Sequence, residues 1–340
     1  MSQSSAPSRH LSAERVLLVL FLAVVGTMCA VSPYFRIAQN LLETMRYLVE
    51  PGIVALAMTL VIITGGIDLS VGAIVGLSAV LLGMAWKSWG LPVGAAVGVA
   101  IGAGALCGLI NGVMVVAFRI PPLIVTLATM AVFRGLATGL CHGTPVSGFP
   151  ESLRPLGQGY YAIGGGLRLP AQTLILVGLA VAAWVFLSRT RHGRCIYAIG
   201  LNETAARYAA LPVDRVKIAV YTLSGCLAGL ASSVLVSRVA TAKPDAGLGF
   251  ELDVITACVA GGVSITGGRG TIPGAMLGLG IVGCLRRGLE LTPSVTSPDV
   301  AVIIGLALVL AVFAHQVLAP MLANRVARGR RMRPVREEAP

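Results

Sequence analysis

Residues 91–118 read LPVGAAVGVAIGAGALCGLINGVMVVAF and contain no charged side chain. A helix crosses the hydrocarbon core of a bilayer, about 30 Å thick, with about 20 apolar residues. This stretch is therefore long enough to span a membrane, and runs of the same kind recur on both sides of it. We expect about ten transmembrane segments, at 16–31, 51–67, 69–86, 91–118, 122–140, 171–187, 218–236, 254–265, 272–289 and 300–317. The predicted fold class is an all-α, polytopic integral membrane protein.

The composition of the whole chain agrees with this class. Of its 340 residues, 56% are hydrophobic and 12% are charged, whereas soluble domains carry about 25% charged residues. The net charge of +12 could indicate a nucleic-acid partner. Most Lys and Arg residues, however, fall in tails and loops on one side of the predicted spans, as the positive-inside rule requires. We therefore expect both termini in the cytoplasm, the lipid bilayer as the surroundings, and no nucleic-acid partner.

Between two short tails the sequence predicts one transmembrane domain, over residues 14–320. Residues 1–13 are rich in Ser and Pro and are predicted to be a disordered cytoplasmic tail. The arginines of the second cytoplasmic tail, residues 321–340, are expected to lie near anionic lipid. Two connections are long, 141–170 on the outer side and 188–217 in the cytoplasm. The seven cysteines are scattered along the chain, so we interpret them as packing residues rather than metal ligands or disulfides.

Two similar glycine-rich strings interrupt the predicted spans. Residues 64–72 read TGGIDLSVG, and residues 260–268 read AGGVSITGG. Paired glycines beside short polar residues are typical of a membrane helix that stops and restarts, and such backbone survives where protein covers it or where it lines a wet cavity. Close helix packing through small residues is the alternative explanation for the glycines. The candidate residues of a translocation pathway are Thr64, Gly65, Gly66, Asp68, Ser70, Asn111, Gly261, Gly262 and Ser264.

Three polar side chains lie inside otherwise apolar stretches. Asp68 is a carboxylate in such a stretch, and an acid at membrane depth favours a functional role. The alternative is that Asp68 caps the following helix at the cytoplasmic surface, and both roles are compatible. Arg134 is expected to pair within the protein or to extend towards the interface, whereas Asn111 fits packing and the pathway equally well.

The cytoplasmic connection contains a predicted short helix over residues 203–211. Asn202 can cap its start, and Pro212 closes it. Glu203 lies in the first turn, where the helix dipole favours an acid, and Arg207 is its i+4 partner. A short helix of this kind outside the membrane is suited to docking another protein.

Motifs for catalysis are missing from the sequence. There is no GxxxxGK[ST] loop to hold ATP and no HExxH metal motif. The four histidines lie in tails, in loops or at the end of a span, and no nucleophile, base and oxyanion site come together. The chain is predicted not to be an enzyme and to bind no cofactor or metal itself.

Four separated strings resemble one known family. They are TGGIDLSVGAIVGL at 64–77, YAIGLNETAARYAALPV at 197–213, KPDAGLGFELDVITACVAGG at 243–262 and GGRGTIPGAMLG at 267–278. In this order they resemble the permease subunits of bacterial ribose-type ABC importers, a group that includes permeases for ribose, arabinose, xylose, galactose, rhamnose and autoinducer-2. The resemblance runs from about residue 51 to residue 317.

The resemblance implies a permease of the bacterial inner membrane that pairs with a second permease subunit, identical or related. Two cytoplasmic subunits would bind ATP and Mg and drive it, and a periplasmic binding protein would deliver a sugar. By this resemblance Gly200, Asn202, Glu203 and Arg207 belong to the helix that couples to the ATPase. The segment 64–70 would be the intramembrane turn near the pathway.

One pair of residues departs from the family pattern. Many relatives carry Asn-Asn where this chain has Arg286 and Arg287. These two cations either contact an acidic face of the binding protein or pair with Glu290, and we favour the pairing. Two other functions stay open. One is an ion-coupled secondary sugar transporter with Asp68 as the proton or sodium site, and the other is a membrane scaffold.

Overall fold

The computed structural model describes residues 6–296, 298–300 and 302–306, with side chains from residue 14 onward. Over these residues the chain is mostly helical with little sheet. The helices are α1 (Ala6–Val31), α2 (Ala38–Ile63), α3 (Val71–Lys87), α4 (Val93–Ala117), α5 (Pro122–Leu140), α6 (Pro155–Gln158), α7 (Gln172–Arg189), α8 (Arg191–Leu201), α9 (Glu203–Tyr208), α10 (Val213–Val239), α11 (Phe250–Ala260) and α12 (Ile272–Glu290). The strands are β1 (Val146–Ser147), β2 (Tyr160–Gly164), β3 (Leu167–Pro170) and β4 (Thr241–Ala242), and Glu151–Leu153 form a 3-10 turn.

Seven helices of the described part are long and apolar enough to cross a membrane, namely α1, α2, α4, α5, α7, α10 and α12. Each overlaps a predicted span, so the polytopic helical class is confirmed. The predicted span 69–86 is the shorter apolar helix α3. The predicted span 254–265 holds α11, whose 11 residues rise only about 16 Å and cannot cross a bilayer alone. Most of span 300–317 lies outside the described residues, so the count of ten stays a prediction.

Helix α2 is longer than the sequence indicates. It begins at Ala38, well before the predicted boundary at residue 51, and Pro51 lies inside it. The prediction that the span begins at Pro51 is therefore wrong. Proline is tolerated inside a membrane helix when neighbouring groups satisfy the backbone carbonyl that loses its hydrogen bond.

Helices α4 and α10 pack closely along their length through glycines. A Cβ placed on Gly104 would lie 3.0 Å from the backbone nitrogen of Gly229. A Cβ on Gly108 would lie at the same distance, 3.0 Å, from the nitrogen of Gly225. Because glycine has no side chain, the two helix backbones approach each other directly. Membrane helices gain van der Waals contact in this way without a hydrophobic driving force.

The centre of the bundle is formed by α3 and the second half of α2. Their side chains are almost fully buried, among them Val54, Ile62, Ile74 and Val80. Helices α1, α5 and α7 instead expose many apolar side chains, such as Val16 on α1. Exposed apolar surface of this extent fits a lipid environment. The central position of α2 and α3 places the connection between them deep in the protein.

The predicted outer connection 141–170 is ordered. Strands β2 and β3 form an antiparallel hairpin, and β1 pairs with β4 through Val146 and Ala242. The hydroxyl of Tyr160 donates to Glu43 at 3.1 Å, and Arg46 donates to the same hydroxyl at 2.7 Å. These bonds attach the hairpin to the start of α2.

Candidate translocation site

The first glycine-rich string is a break between two helices, as predicted. Helix α2 ends at Ile63 and α3 begins at Val71. Thr64 donates its hydroxyl to the carbonyl oxygen of Val61 at 2.7 Å, which completes the last turn of α2. Gly65 has φ 81°, a left-handed conformation that favours glycine. The chain therefore turns at Thr64–Gly65 and continues without helical hydrogen bonds to Ser70.

Asp68 is fully buried in this break and accepts three hydrogen bonds. The backbone nitrogen and hydroxyl of Ser70 donate to Oδ1 at 3.0 and 2.6 Å, and the hydroxyl of Ser224 on α10 donates to Oδ2 at 3.2 Å. Asn111 on α4 donates from Nδ2 to the Ser70 hydroxyl at 2.7 Å. The predicted residues Asp68, Ser70 and Asn111 thus form one polar cluster, and Ser224 joins it. Ser224 was not predicted, since one Ser among many on an apolar helix gives no distinguishing signal.

The cluster lies between three helices of the bundle. Ser224 is near the middle of α10, whereas Asn111 is near the end of α4. The pathway role and the capping role of Asp68 both stay predictions. Its bond to Ser70 closes a short turn ahead of α3, while α3 itself has no side-chain cap.

Charge compensation in the cluster comes from hydrogen bonds. Among the described residues no Lys or Arg forms an ion pair with Asp68. Two neighbouring buried atoms, Oδ1 of Asn111 and the hydroxyl of Tyr221, have no hydrogen-bond partner within the described part. Buried polar groups without partners are costly and uncommon. The region therefore has free hydrogen-bonding capacity inside the helix bundle.

The second glycine-rich string is also a break. Helix α11 ends at Ala260 and α12 begins at Ile272. Gly262 has φ 83°, and a Cβ on Gly261 would lie 2.7 Å from Cα of Ala275 on α12. The hydroxyl of Ser264 lies 2.8 Å from that of Thr266. In the described contacts Ser264 forms no hydrogen bond with the Asp68 cluster.

The two breaks touch each other. The backbone nitrogen of Gly268 donates to the carbonyl oxygen of Ile63 at 2.9 Å. A Cβ on Gly267 would lie 3.0 Å from Cα of Gly65. Gly200, near the end of α8, completes the junction, since a Cβ there would lie 2.5 Å from the nitrogen of Gly268. The end of α2, the end of α8 and the second break therefore contact one another directly through their backbones. The sequence did not indicate this contact.

The connection 188–217, predicted to be cytoplasmic, contains two helices instead of the single predicted one. Helix α8 was not predicted, and its start is capped by Thr190, which accepts from the nitrogen of Gly193 at 3.1 Å. Helix α9 begins as predicted, with Asn202 accepting from the nitrogen of Ala205 at 2.9 Å. It ends at Tyr208 and not at residue 211, because Ala210 adopts a left-handed conformation with φ 56°.

Glu203 and Arg207 hold α9 against α10. Their side chains pair at 3.0 Å, Arg207 also pairs with Asp214 at 2.6 Å, and Lys217 pairs with Glu203 at 2.5 Å. Partial burial by itself would raise the pKa of Glu203. Hydrogen bonds from Lys217 and Arg207 and their positive charges outweigh burial and keep the pKa of Glu203 below its ordinary value. This end of α10 is thereby linked by charge to α9.

Two large side chains beside this network are unusually exposed. Tyr208 at the end of α9 is 88% exposed, and Leu201 at the end of α8 is 65% exposed. Glu203 and Arg207 are occupied by partners within the chain, whereas Tyr208 and Leu201 are available to a partner protein.

The other predicted polar contacts are partly confirmed. Arg134 donates to the carbonyl oxygens of Pro244 and Ala246 at 2.7 and 3.0 Å, so it pairs within the protein as expected. Arg287 pairs with Glu290 at 3.2 Å. The same prediction is wrong for Arg286, which pairs with Asp253 of α11 at 2.5 Å. The sequence could not indicate this partner, because α11 and α12 meet only in the folded protein.

The described part of the chain is thus a bundle of apolar helices with two touching breaks and a buried polar cluster. A family model described as "Branched-chain amino acid transport system / permease component" matches residues 40–313. The chain therefore belongs to this family of transport-system permeases and is a multi-pass membrane protein.

Three relatives illustrate the similarity. The ribose import permease protein RbsC of Escherichia coli (strain K12) is 40% identical over 82% of this chain and 86% of the relative. The autoinducer 2 import system permease protein LsrD of Photorhabdus luminescens is 39% identical over 71% of this chain and 72% of the relative. The fructose import permease protein FrcC of Rhizobium meliloti is 36% identical over 88% of this chain and 84% of the relative.

Proposed function

We propose that this chain is the permease subunit of an ABC importer and carries a monosaccharide or a similar sugar-like solute across the bacterial inner membrane. The names of the relatives support a sugar-like cargo, since they specify ribose, autoinducer 2 and fructose import. The family description mentions branched-chain amino acids. We give the relatives more weight, because each aligns with most of this chain at more than a third identity.

The importer would be assembled from several subunits. ATP and Mg would be bound by separate cytoplasmic ATPase subunits, a periplasmic binding protein would deliver the solute, and a second permease subunit would complete the pathway. The chain itself would hydrolyse no ATP. Its contribution would be a pathway that opens and closes when α8 and α9 move.

The contact of Gly200 with both breaks carries this proposal. An ATPase that pushes on Tyr208 and Leu201 would move α8, and Gly200 lies in bare-backbone contact with Gly268 and Ile63. Motion at the docking surface would thus reach the connection that holds Asp68 without passing through flexible side chains. Transport folds commonly rely on such discrete movements of packed elements.

The test is ATP-driven solute uptake by proteoliposomes that contain the permease, its ATPase and its binding protein. Gly200→Val should lower uptake at least about tenfold, because two added methyl groups and a Cβ overpack the junction. Gly178→Val on α7 is the matched control, since a Cβ there meets nothing within 4 Å, and uptake should persist. Both variants should still co-purify with the ATPase.

Two results would contradict the proposal. If Gly200→Val transports at the wild-type rate, the junction does not transmit motion. If the purified chain alone transports sugar down an ion gradient without ATP, it is an ion-coupled secondary transporter and Asp68 becomes its candidate ion site.

A further inference from the structure

A pocket lies beside the α8–α9 region, at the end of the bundle predicted to face the cytoplasm. Its volume is about 500 Å³, and it lies between the α4–α5 turn and the start of α10. Three cationic side chains line it, Arg119, Arg207 and Lys217, together with Glu203. Apolar residues including Val116 and Ile120 form an apolar wall beside Arg119. The pocket is separate from the Asp68 cluster.

The charges in this pocket do not balance. Glu203 accepts from both Arg207 and Lys217, and Asp214 accepts from Arg207. Arg119 forms no ion pair with any side chain in the described part. Three cations and the carboxylate of Glu203 line the pocket, and Asp214 beside it pairs with Arg207, so these groups together carry one excess positive charge. A single phosphate diester, which carries one negative charge, would neutralise the pocket.

The backbone of Arg119 supports a binding role. Its φ is 54°, a left-handed conformation that is unusual for a residue other than glycine. Such strain marks ligand-binding positions more often than chance positions. The turn at Arg119 directs the chain from α4 to Pro121 and keeps the guanidinium on the pocket lining.

The apolar wall continues towards the middle of the membrane. Ile110, Val113 and Val116 follow one another at a spacing of three on α4 and so lie along one face of the helix. Ile110 and Val113 are exposed. A hydrocarbon chain could lie along this face while a charged group occupies the pocket. Free phosphate would leave the apolar wall and this face without a partner.

We propose that the pocket binds the headgroup phosphate of an anionic phospholipid from the cytoplasmic leaflet, with an acyl chain along α4. Basic pockets between membrane helices on this side are typical sites for acidic lipids. The phosphate would join Arg119 on the α4–α5 turn to Arg207 and Lys217 next to α9. Lipid composition would then influence how firmly α9 is held against the bundle.

The experiment uses the full-length chain purified in detergent and measures lipid binding by native mass spectrometry. Phosphatidylglycerol should bind at least about fivefold more tightly than phosphatidylcholine, as expected for a cationic site that distinguishes headgroup charge. Arg119→Gln should abolish this preference, and Arg119→Lys should retain most of it. Arg194→Gln removes an exposed cation of α8 outside the pocket lining and should keep the preference.

Four outcomes would overturn the proposal. Equal binding of the two lipids by the wild-type chain would exclude a selective site without any variant. Equal losses in Arg119→Gln and Arg194→Gln would indicate general surface charge. Competition by millimolar inorganic phosphate would identify a free-anion site. An acidic segment of a partner protein would be indicated instead if added ATPase displaced the bound phosphatidylglycerol.

Discussion

The backbone nitrogen of Gly268 donates a hydrogen bond to the carbonyl oxygen of Ile63 across 2.9 Å. This bond joins the last residue of α2 to the break between α11 and α12, so the two interrupted segments support each other. Each break alone would leave buried backbone polar groups without partners, which is costly. Pairing the two breaks satisfies some of these groups.

We predict that glycine at position 66 is required for stability, because the hydroxyl of Tyr221 occupies the space beside it. A Cβ on Gly66 would collide with that hydroxyl oxygen, whereas its φ permits other residues. Gly66→Ala should therefore lower the free energy of unfolding by about 1–3 kcal/mol. Thermal unfolding of the purified protein in detergent measures the loss.

A double variant provides the control for this explanation. Tyr221→Phe removes the colliding oxygen, and that hydroxyl has no hydrogen-bond partner in the described residues, so the single variant should be nearly neutral. Gly66→Ala combined with Tyr221→Phe should recover most of the lost stability. Additive losses in the double variant would show that the hydroxyl is not the obstacle.

Asp68→Asn should reduce uptake about tenfold or more while the importer still assembles, as expected for an acid at membrane depth with a functional role. The amide keeps the size of the carboxyl group but removes its charge and one of its two acceptor oxygens. Uptake by proteoliposomes and co-purification of the ATPase are measured together. Glu151→Gln in the exposed outer turn is the control. Unchanged transport by Asp68→Asn would exclude a role for the carboxylate.

The ion pairs of Glu203 should make the α9 region sensitive to acid. The pKa of Glu203 is held below its ordinary value, so its pairing stabilises the fold above about pH 4.3, its unfolded value. That contribution is lost as the pH falls through the lowered pKa. The melting temperature of the wild-type chain should exceed that of Glu203→Gln at pH 7, and the difference should shrink below about pH 4. A difference that does not depend on pH would contradict ionic pairing.

Tyr208 is predicted to be an anchor for the ATPase. Because 88% of its side chain is exposed, Tyr208→Ala should leave the melting temperature of the permease unchanged. It should weaken co-purification of the ATPase by at least about tenfold, as is typical of aromatic interface residues. Tyr161→Ala changes a 55% exposed tyrosine on the outer hairpin and is the matched control. Equal effects of the two variants would refute the assignment.

The double change Glu203→Ala with Arg207→Ala tests a different property. It releases Lys217 and Asp214 from their partners and should loosen α9 rather than remove a docking group. We expect lower stimulation of ATP turnover together with a lower melting temperature. Loss of stimulation without any change in melting temperature would mean that these two residues contact the ATPase directly.

Much of the architecture could be predicted from the sequence because its cause is local. Apolar runs such as 91–118 are longer than the bilayer core requires, so the helical membrane class follows from composition. The breaks after Ile63 and Ala260 follow from paired glycines beside polar residues. The start of α9 follows from the capping side chain of Asn202.

Other features depended on contacts between distant parts of the chain. Helix α8 was missed since it begins within a basic run, 189–194, that resembles a loop. The end of α9 was misplaced because only the folded chain forces Ala210 into a left-handed conformation. Pro51 was taken as a boundary, whereas neighbouring helices allow α2 to continue through it.

The sequence by itself determined the membrane environment, the two interruptions and the short capped helix, since each depends on residues adjacent in the chain. Only the tertiary structure decided that Gly268 bonds to Ile63 and that Arg286 pairs with Asp253. It also decided that Asn111 and Ser224 complete the Asp68 cluster. These pairings join residues far apart in the chain, and each requires helices to pack at a particular height and rotation. Local pattern carries no information about either quantity.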